Sequence, residues 1–156
     1  MPDPTLFTAF NFRVEVSVPD LGPENLCEAA FAECDGLEVT MEPKSFVEGG
    51  NNAARVHLAG PVNYAQLTLK RGMTADFGLW RWFSAVMKTN GRRIRGNASI
   101  VMLGADRTPK VMFVLHDCLP VKLKAPALNA KDGLVAIEEM QIAYAAMDVQ
   151  LPEEGA

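Results

Sequence analysis

The sequence predicts a mainly β protein, an antiparallel β-barrel or sandwich with one flanking α-helix. Three observations lead there: short segments alternate apolar and polar residues between turn signals, one stretch keeps helical periodicity, and strands never alternate with helices as βαβ units would require. At 156 residues, 49% hydrophobic and 22% charged, the chain has the composition of one globular domain, and a chain of this length buries roughly 70% of its unfolded surface. No repeat, low-complexity tract or linker divides it, so residues 1–156 read as a single domain with a core over about 10–149 and short flexible termini.

From Phe10 the chain alternates, with Phe12, Val14, Val16 and Val18 on one face and Asn11, Arg13, Glu15 and Ser17 on the other, the pattern of a half-buried strand. Pro19-Asp20-Leu21-Gly22-Pro23 is a turn. Ala29–Glu33 and Leu37–Glu42 then read as a hairpin about Cys34-Asp35-Gly36, because Asp-Gly supplies the positive φ of a tight turn. Glu42 to Gly60, with Pro43 and Gly49-Gly50-Asn51-Asn52, is expected to be a long excursion with a mobile tip, and a loop that long usually has a task. Gln66–Lys70 resumes strand alternation and stops at Arg71-Gly72.

Thr74 is the expected N-cap of a helix that runs to Lys88 and stops at Asn90-Gly91. Its polar stripe is only Arg81, Ser84 and Lys88, while Phe77, Leu79, Trp80, Trp82, Phe83, Val86 and Met87 occupy most of the remaining circumference. Trp80 and Trp82 stand about 200° apart around the helix, so a core that takes one leaves the other to a different cover. Ser99–Leu103 and Lys110–Leu115 form a further hairpin, joined by Gly104–Pro109. Leu134 to Met147 reads as one final strand with both faces partly buried. Seven or eight strands and one helix result.

Composition removes several function classes. A net charge of −4 gives no basic footprint for gripping nucleic acid. No apolar run approaches the ~20 residues of a membrane helix, and Met1–Phe7 lacks the basic region and apolar stretch of a secretory signal, so synthesis and folding in the cytosol are expected. Cys27, Cys34 and Cys118 have no C-x-x-C spacing and are expected to be buried small hydrophobes. His57 and His116 are the only histidines. Strand alternation splits His116 from Asp117 and sets His116 beside Cys118, but two ligands fall short of a zinc site. No P-loop, dinucleotide fingerprint or nucleophile elbow stands at a strand–helix junction. Glu138 and Glu139 face apart on a strand, Glu153-Glu154 lies in a polar tail, and Lys70-Arg71 reads as solvated charge at a strand end. No catalytic, cofactor or metal residue is assigned, and a non-enzymatic role is expected.

Several blocks carry a family resemblance. They are Phe10-Asn11-Phe12-Arg13-Val14, Leu67-Thr68-Leu69-Lys70-Arg71-Gly72, Leu79-Trp80-Arg81-Trp82, Asn97–Leu103, Pro120-Val121-Lys122, Pro126-Ala127-Leu128-Asn129-Ala130 and Val135-Ala136-Ile137-Glu138. In this order and spacing, over about Phe10 to Val149, the chain resembles the tail tube proteins of contractile phages and contractile injection systems. It departs at Leu119, where the family tends to carry a tryptophan, and matches loosely over Phe46–Ala65.

The resemblance implies a tail-tube-like β-barrel with a flanking helix, hexameric rings, and stacking of those rings into a hollow tube inside a contractile sheath. The implied partners are further copies of the chain, the sheath protein, baseplate or tube-initiator proteins, and a payload of protein or DNA in the lumen. Assembly in the cytoplasm, a place in a virion or extracellular particle, no membrane anchor and no cofactor go with it. The surplus apolar helix face points to Trp82, Leu79 and Val86 as subunit contacts, and the matching blocks add Lys70, Arg71 and Asn129. Glu48, Asn51, Asn52 and Arg55 of the long excursion are the expected ring-stacking residues. Two alternatives stay open: a tube-initiator or baseplate-proximal paralogue, and a monomeric β-barrel that binds a small apolar ligand.

Overall fold

Alternation in the first strand sets the core. In β1 (Phe12–Ser17) Val14 and Val16 are fully buried, with Val18 behind them, while Arg13 and Glu15 face out and pair with each other at 3.0 Å. The computed structural model describes residues 11–22, 26–29, 31–47, 49–50, 55–89, 94–131 and 133–151. After a 3₁₀ turn at Pro19–Leu21 follow β2 (Cys27–Ala29), β3 (Glu33–Asp35), β4 (Val39–Met41), β5 (Lys44–Val47), β6 (Arg55–Leu58), β7 (Val62–Tyr64) and β8 (Leu67–Gly72). Helix α1 (Gly78–Lys88) precedes β9 (Gly96–Leu103), β10 (Pro109–Lys124), β11 (Ile137–Ala143) and β12 (Ala146–Gln150).

The main sheet runs β2-β1-β9-β10-β11-β8-β3, with β12 also on β10 and every pair antiparallel. β10 is 16 residues long and serves two layers. Its first half lies between β9 and β12, its second half pairs with β11, and the ladder shifts between Leu115 and Cys118, where Asp117 takes φ 54°. Such a bulge bends a strand and strengthens its twist. The inward rows of both layers, Val14–Ile100 and Leu69–Met140 among them, join Leu79 and Trp82 of α1 in one cluster. The predicted antiparallel β fold with one flanking helix is the observed architecture, and the β9–β10 hairpin is as expected.

Four local expectations are corrected. Asp35-Gly36 is not a hairpin turn: β3 pairs with β8 and β4 with β7. Gly36, at φ 105°, marks instead a point where two backbones nearly touch, since a Cβ there would sit 2.0 Å from the Gln66 carbonyl oxygen. The helix starts four residues after Thr74, because Thr74 Oγ1 accepts from the Asp76 amide at 3.2 Å and Asp76 Oδ1 accepts from the Gly78 amide at 3.0 Å, which spends the first turn on side-chain caps. Its stop at Asn90-Gly91 lies outside the described residues. The final strand is two, β11 and β12, divided at Tyr144-Ala145, where the Ala145 amide bonds to the His116 carbonyl at 3.0 Å and the chain passes from one layer to the other. The bulge at Asp117 also separates His116, which faces solvent, from Cys118, which is buried.

Candidate assembly interface

The expected excursion is a paired ribbon. β4 and β7 pair Val39 with Tyr64 and Met41 with Val62, and beyond a kink β5 and β6 pair Lys44 with Leu58 and Phe46 with Val56. Directly opposed residues share a face. One face of each ladder is therefore mainly apolar, interrupted by Lys44 at the start of β5, and Thr40/Asn63, Ser45/His57 and Val47/Arg55 make the other. Gly60 sits at the kink because the strands close up there: a Cβ would lie 1.7 Å from the Glu42 carbonyl oxygen.

At its root the ribbon is held. Tyr64 packs against Tyr144 in a tilted pair with ring centres 5.2 Å apart, and the Tyr144 hydroxyl donates to the Gly36 carbonyl at 2.8 Å. Burial raises the pKa of that phenol, so it stays a donor. Outward of Tyr64 no described residue of the ribbon is buried. Val39, Met41, Phe46, Val56, Leu58 and Val62 are 36–51% exposed, and no residue of β4, β5 or β6 is buried. A two-stranded ribbon is marginal alone in water, and an apolar face that nothing in the subunit covers is the mark of a contact surface.

A second apolar surface lies on the connection from β10 to β11. Leu128, Leu134 and Val135 are 75–92% exposed, although the segment is tied to β8 by the Met73 amide bonding to the Ala136 carbonyl at 2.9 Å. Asn129, an expected subunit contact, is exposed here, its Oδ1 accepting from the Lys131 amide at 3.0 Å.

The other expected contact residues divide. Lys70 faces out and pairs with Glu33 at 3.6 Å, Val86 is half-buried against the core, and Arg55 is exposed on the ribbon. Trp82 and Leu79 are buried within the subunit, the Trp82 indole donating to the Ile94 carbonyl at 3.0 Å. The surplus of apolar helix surface is thus smaller than the helical wheel implies, and Phe77 and Met87 carry what remains exposed. Glu48, Asn51 and Asn52 lie outside the described residues.

Arg71 is not a solvated strand-end charge. It shares the inward parity of Leu67 and Leu69, is 2% exposed, and bonds through Nε to Glu138 Oε1, itself 2% exposed and in line with Met140 and Ile142. Glu138 Oε2 accepts from the Trp80 indole at 2.8 Å, Arg71 donates to the Asp76 carbonyl at 2.8 Å, and the guanidinium lies 5.5 Å from the Phe31 ring centre. The indole N–H of Trp80 is thus anchored on a buried ion pair, while its ring stays half-buried. Burial, reinforced at Cys34 by the charge of Asp35, pushes the Cys34 and Cys118 thiols up to about 12, leaving both inert at neutral pH; the Cys27 side chain is outside the described residues. His116 Nε2 lies 2.9 Å from Asp148 on the open face of β10 and β12. Among the described residues no three metal-ligating side chains converge and no helix is long and apolar enough to cross a membrane.

The family model described as T4-like virus tail tube protein gp19 matches residues 8–148. A chain in the cryo-EM structure of the anti-feeding prophage baseplate is similar at 27% identity and a TM-score of 0.80, covering 96% of this chain and 97% of that one. A chain of the sheath–tube complex of the PVC extracellular contractile injection system, in its extended state, gives 16% and 0.77 over 97% and 94% of the two chains. A chain in the cryo-EM structure of the anti-feeding prophage cap, which terminates the tube, gives 16% and 0.78 over 97% and 95%. No curated protein matches the chain.

Proposed function

The chain belongs to the T4-like virus tail tube protein family, and from that membership we propose that it is a structural subunit of the inner tube of a contractile tail or injection system. Copies form hexameric rings, and the rings stack into a hollow tube that carries a protein or DNA payload. The observation that carries this reading is the uncovered apolar face of the ribbon, Phe46, Val56 and Leu58 foremost. A surface of that kind on an otherwise well-packed subunit is satisfied by other protein, and identical copies are always at hand.

The work is mechanical. Contraction of a surrounding sheath drives the tube forward, the baseplate sets where it starts, and the subunit makes and breaks no bond. Free strand edges supply lateral contacts, since neighbouring copies can pair backbone groups that one copy leaves open. The ribbon supplies the contact from ring to ring, with Arg55 and the tip residues Glu48, Asn51 and Asn52 at the seam. Asn129, Lys70 and Val86 lie at subunit contacts, and Trp82, Leu79 and Arg71 shape those contacts from within. Assembly takes place in the cytoplasm, with delivery as part of a particle.

A second reading, a tube-initiator or baseplate-proximal subunit, draws on the higher identity to the baseplate chain, 27% against 16% for the sheath–tube and cap chains. Sedimentation velocity across a concentration series tests the shared claim: a discrete ring and larger species should grow with concentration, whereas a monomer throughout would favour a ligand-binding barrel. Antibody labelling of whole particles separates the two readings, along the tube for a main subunit and at one end for an initiator.

A further inference from the structure

From Phe77 to Ala105 the sequence carries Arg81, Lys88, Arg92, Arg93 and Arg95 and no acid, inside a chain whose net charge is −4. Helix α1 lies in this run. Its core side is Leu79 and Trp82, while Trp80, Arg81, Ser84 and Lys88 lie on the side turned away from them. Among the described residues neither Arg81 nor Lys88 forms an ion pair, whereas Arg13, Lys70 and Arg71 each do. Both free cations are exposed.

The surface between these side chains has the shape of a helix seat. Trp80, Ser84 and Lys88 form one ridge at i, i+4 spacing, Arg81 and Ala85 form the next, and together they line a shallow groove of about 410 Å³. A groove between two such ridges takes a ridge of a second helix at an axial distance of about 8–10 Å. Its middle is small, Ser84 and Ala85, which lets another backbone come close. Trp80, fixed through its indole N–H on Glu138 at 2.8 Å, makes a firm wall. Arg81 and Lys88 stand two turns apart, about 10.5 Å along the axis.

We propose that the outward face of α1 is a docking site for an acidic amphipathic helix of a second, different protein. One apolar side chain of that helix sits over Ser84 and Ala85, and two of its carboxylates, also two turns apart, meet Arg81 and Lys88. Charge complementarity of this kind sets partner and register. Another copy of the chain does not offer such a helix: α1 is the only α-helix among the described residues, it contains no acid, and two α1 faces set together oppose like charges. A lipid surface fits less well, because a membrane-bound amphipathic helix buries its apolar side in the bilayer and that side, Leu79 and Trp82, is already packed in the core. Two cations on a net acidic chain release few counterions from nucleic acid. The contact requires no self-association, so it stands or falls separately from tube assembly.

The probe is a dye-labelled peptide of about 20 residues, long enough to hold a helix, with glutamates two turns apart and a leucine midway between them. Its fluorescence anisotropy should saturate as the full-length protein is added. Binding should weaken at least about tenfold in Arg81→Glu/Lys88→Glu, and equally when the peptide carries glutamines in place of the glutamates. Arg107→Glu/Lys110→Glu, which reverses two charges at the β9–β10 turn, should bind the peptide like wild type. Far-UV circular dichroism checks each fold, and should the reversed helix variant fail it, Arg81→Gln/Lys88→Gln decides by the same loss of binding. No saturable binding to wild type, or an equal loss in the turn variant, overturns the site. So does wild-type protein that prefers phosphatidylserine–phosphatidylcholine vesicles or duplex DNA to the peptide. Sedimentation velocity covers the remaining occupant: self-association lost in folded Arg81→Glu/Lys88→Glu would give the face to a second copy and refute the proposal. Wild-type protein that binds the peptide and never self-associates would sink the tube reading and leave this site standing.

Discussion

Removing Glu138 should damage the fold more than any surface carboxylate, and the size of the loss follows from its surroundings. Glu138→Leu takes the buried carboxylate from the Arg71 guanidinium, which is 2% exposed and keeps its contact with Asp76 at 3.4 Å, and strips the Trp80 indole of its acceptor at 2.8 Å. Breaking one side of a buried ion pair costs about 3–5 kcal/mol. At about 2–4 °C per kcal/mol for a domain of this size, the melting temperature should fall by roughly 6–20 °C. Arg71→Met combined with Glu138→Leu should recover most of that, keeping a deficit of about 1–3 kcal/mol for the unsatisfied indole. Thermal and urea unfolding followed by circular dichroism, on protein dilute enough to be monomeric, reads all three chains. A Glu138→Leu single variant within about 2 °C of wild type, the range of an ordinary surface change, refutes the reasoning.

Other consequences are independent of that pair. Gly36→Ala should destabilise by about 2–4 kcal/mol, since the new methyl meets the Gln66 carbonyl at 2.0 Å from a backbone held at φ 105°; normal urea stability would show that the strands are not that close. Phe46→Ser removes a ring that is 44% exposed, so monomer stability should move by less than about 1 kcal/mol while assembly yield drops, and unaltered assembly removes the ribbon from the interface. The folded thiols of Cys34 and Cys118 sit at about 12 against an ordinary 9.0. A raised folded pKa favours the protonated form in the native state, so this contribution is complete below pH 9.0 and is lost as pH rises towards 12. Urea midpoints should therefore fall over that window, less so in Cys34→Ala/Cys118→Ala, and both thiols should resist disulfide reagents at about pH 8 until the chain unfolds.

What could be read beforehand divides by the range of the forces involved. β1 and the β9–β10 hairpin were legible because alternation, turn residues and burial agree within a few residues of chain, and Val14, Val16 and Ile100 face where parity puts them. The break between β11 and β12 carried no local signal, since the period stays at two while the strand changes layer. At Gly36 the need for glycine was visible and its cause was not: the constraint comes from Gln66, thirty positions away, rather than from a tight turn.

Arg71 and Glu138 could have been found. Each closes an apolar parity series, Leu67-Leu69-Arg71 and Glu138-Met140-Ile142, and a charge of each sign on core positions of two strands is a reason to pair them. The helical wheel counted Trp82 as spare surface because it cannot see that Ile94 and the sheet bury that side of the helix. The ribbon is the reverse case. Its apolar residues resemble core in sequence and stand exposed in the isolated subunit, as expected when the cover comes from another chain.

Negative-stain electron microscopy of the purified full-length protein, imaged over a range of concentrations, tests self-assembly most directly. Annular particles of uniform diameter that stack into short hollow rods as concentration rises are the predicted result. Fields of single small particles at every concentration, from protein that is folded by circular dichroism, would contradict it.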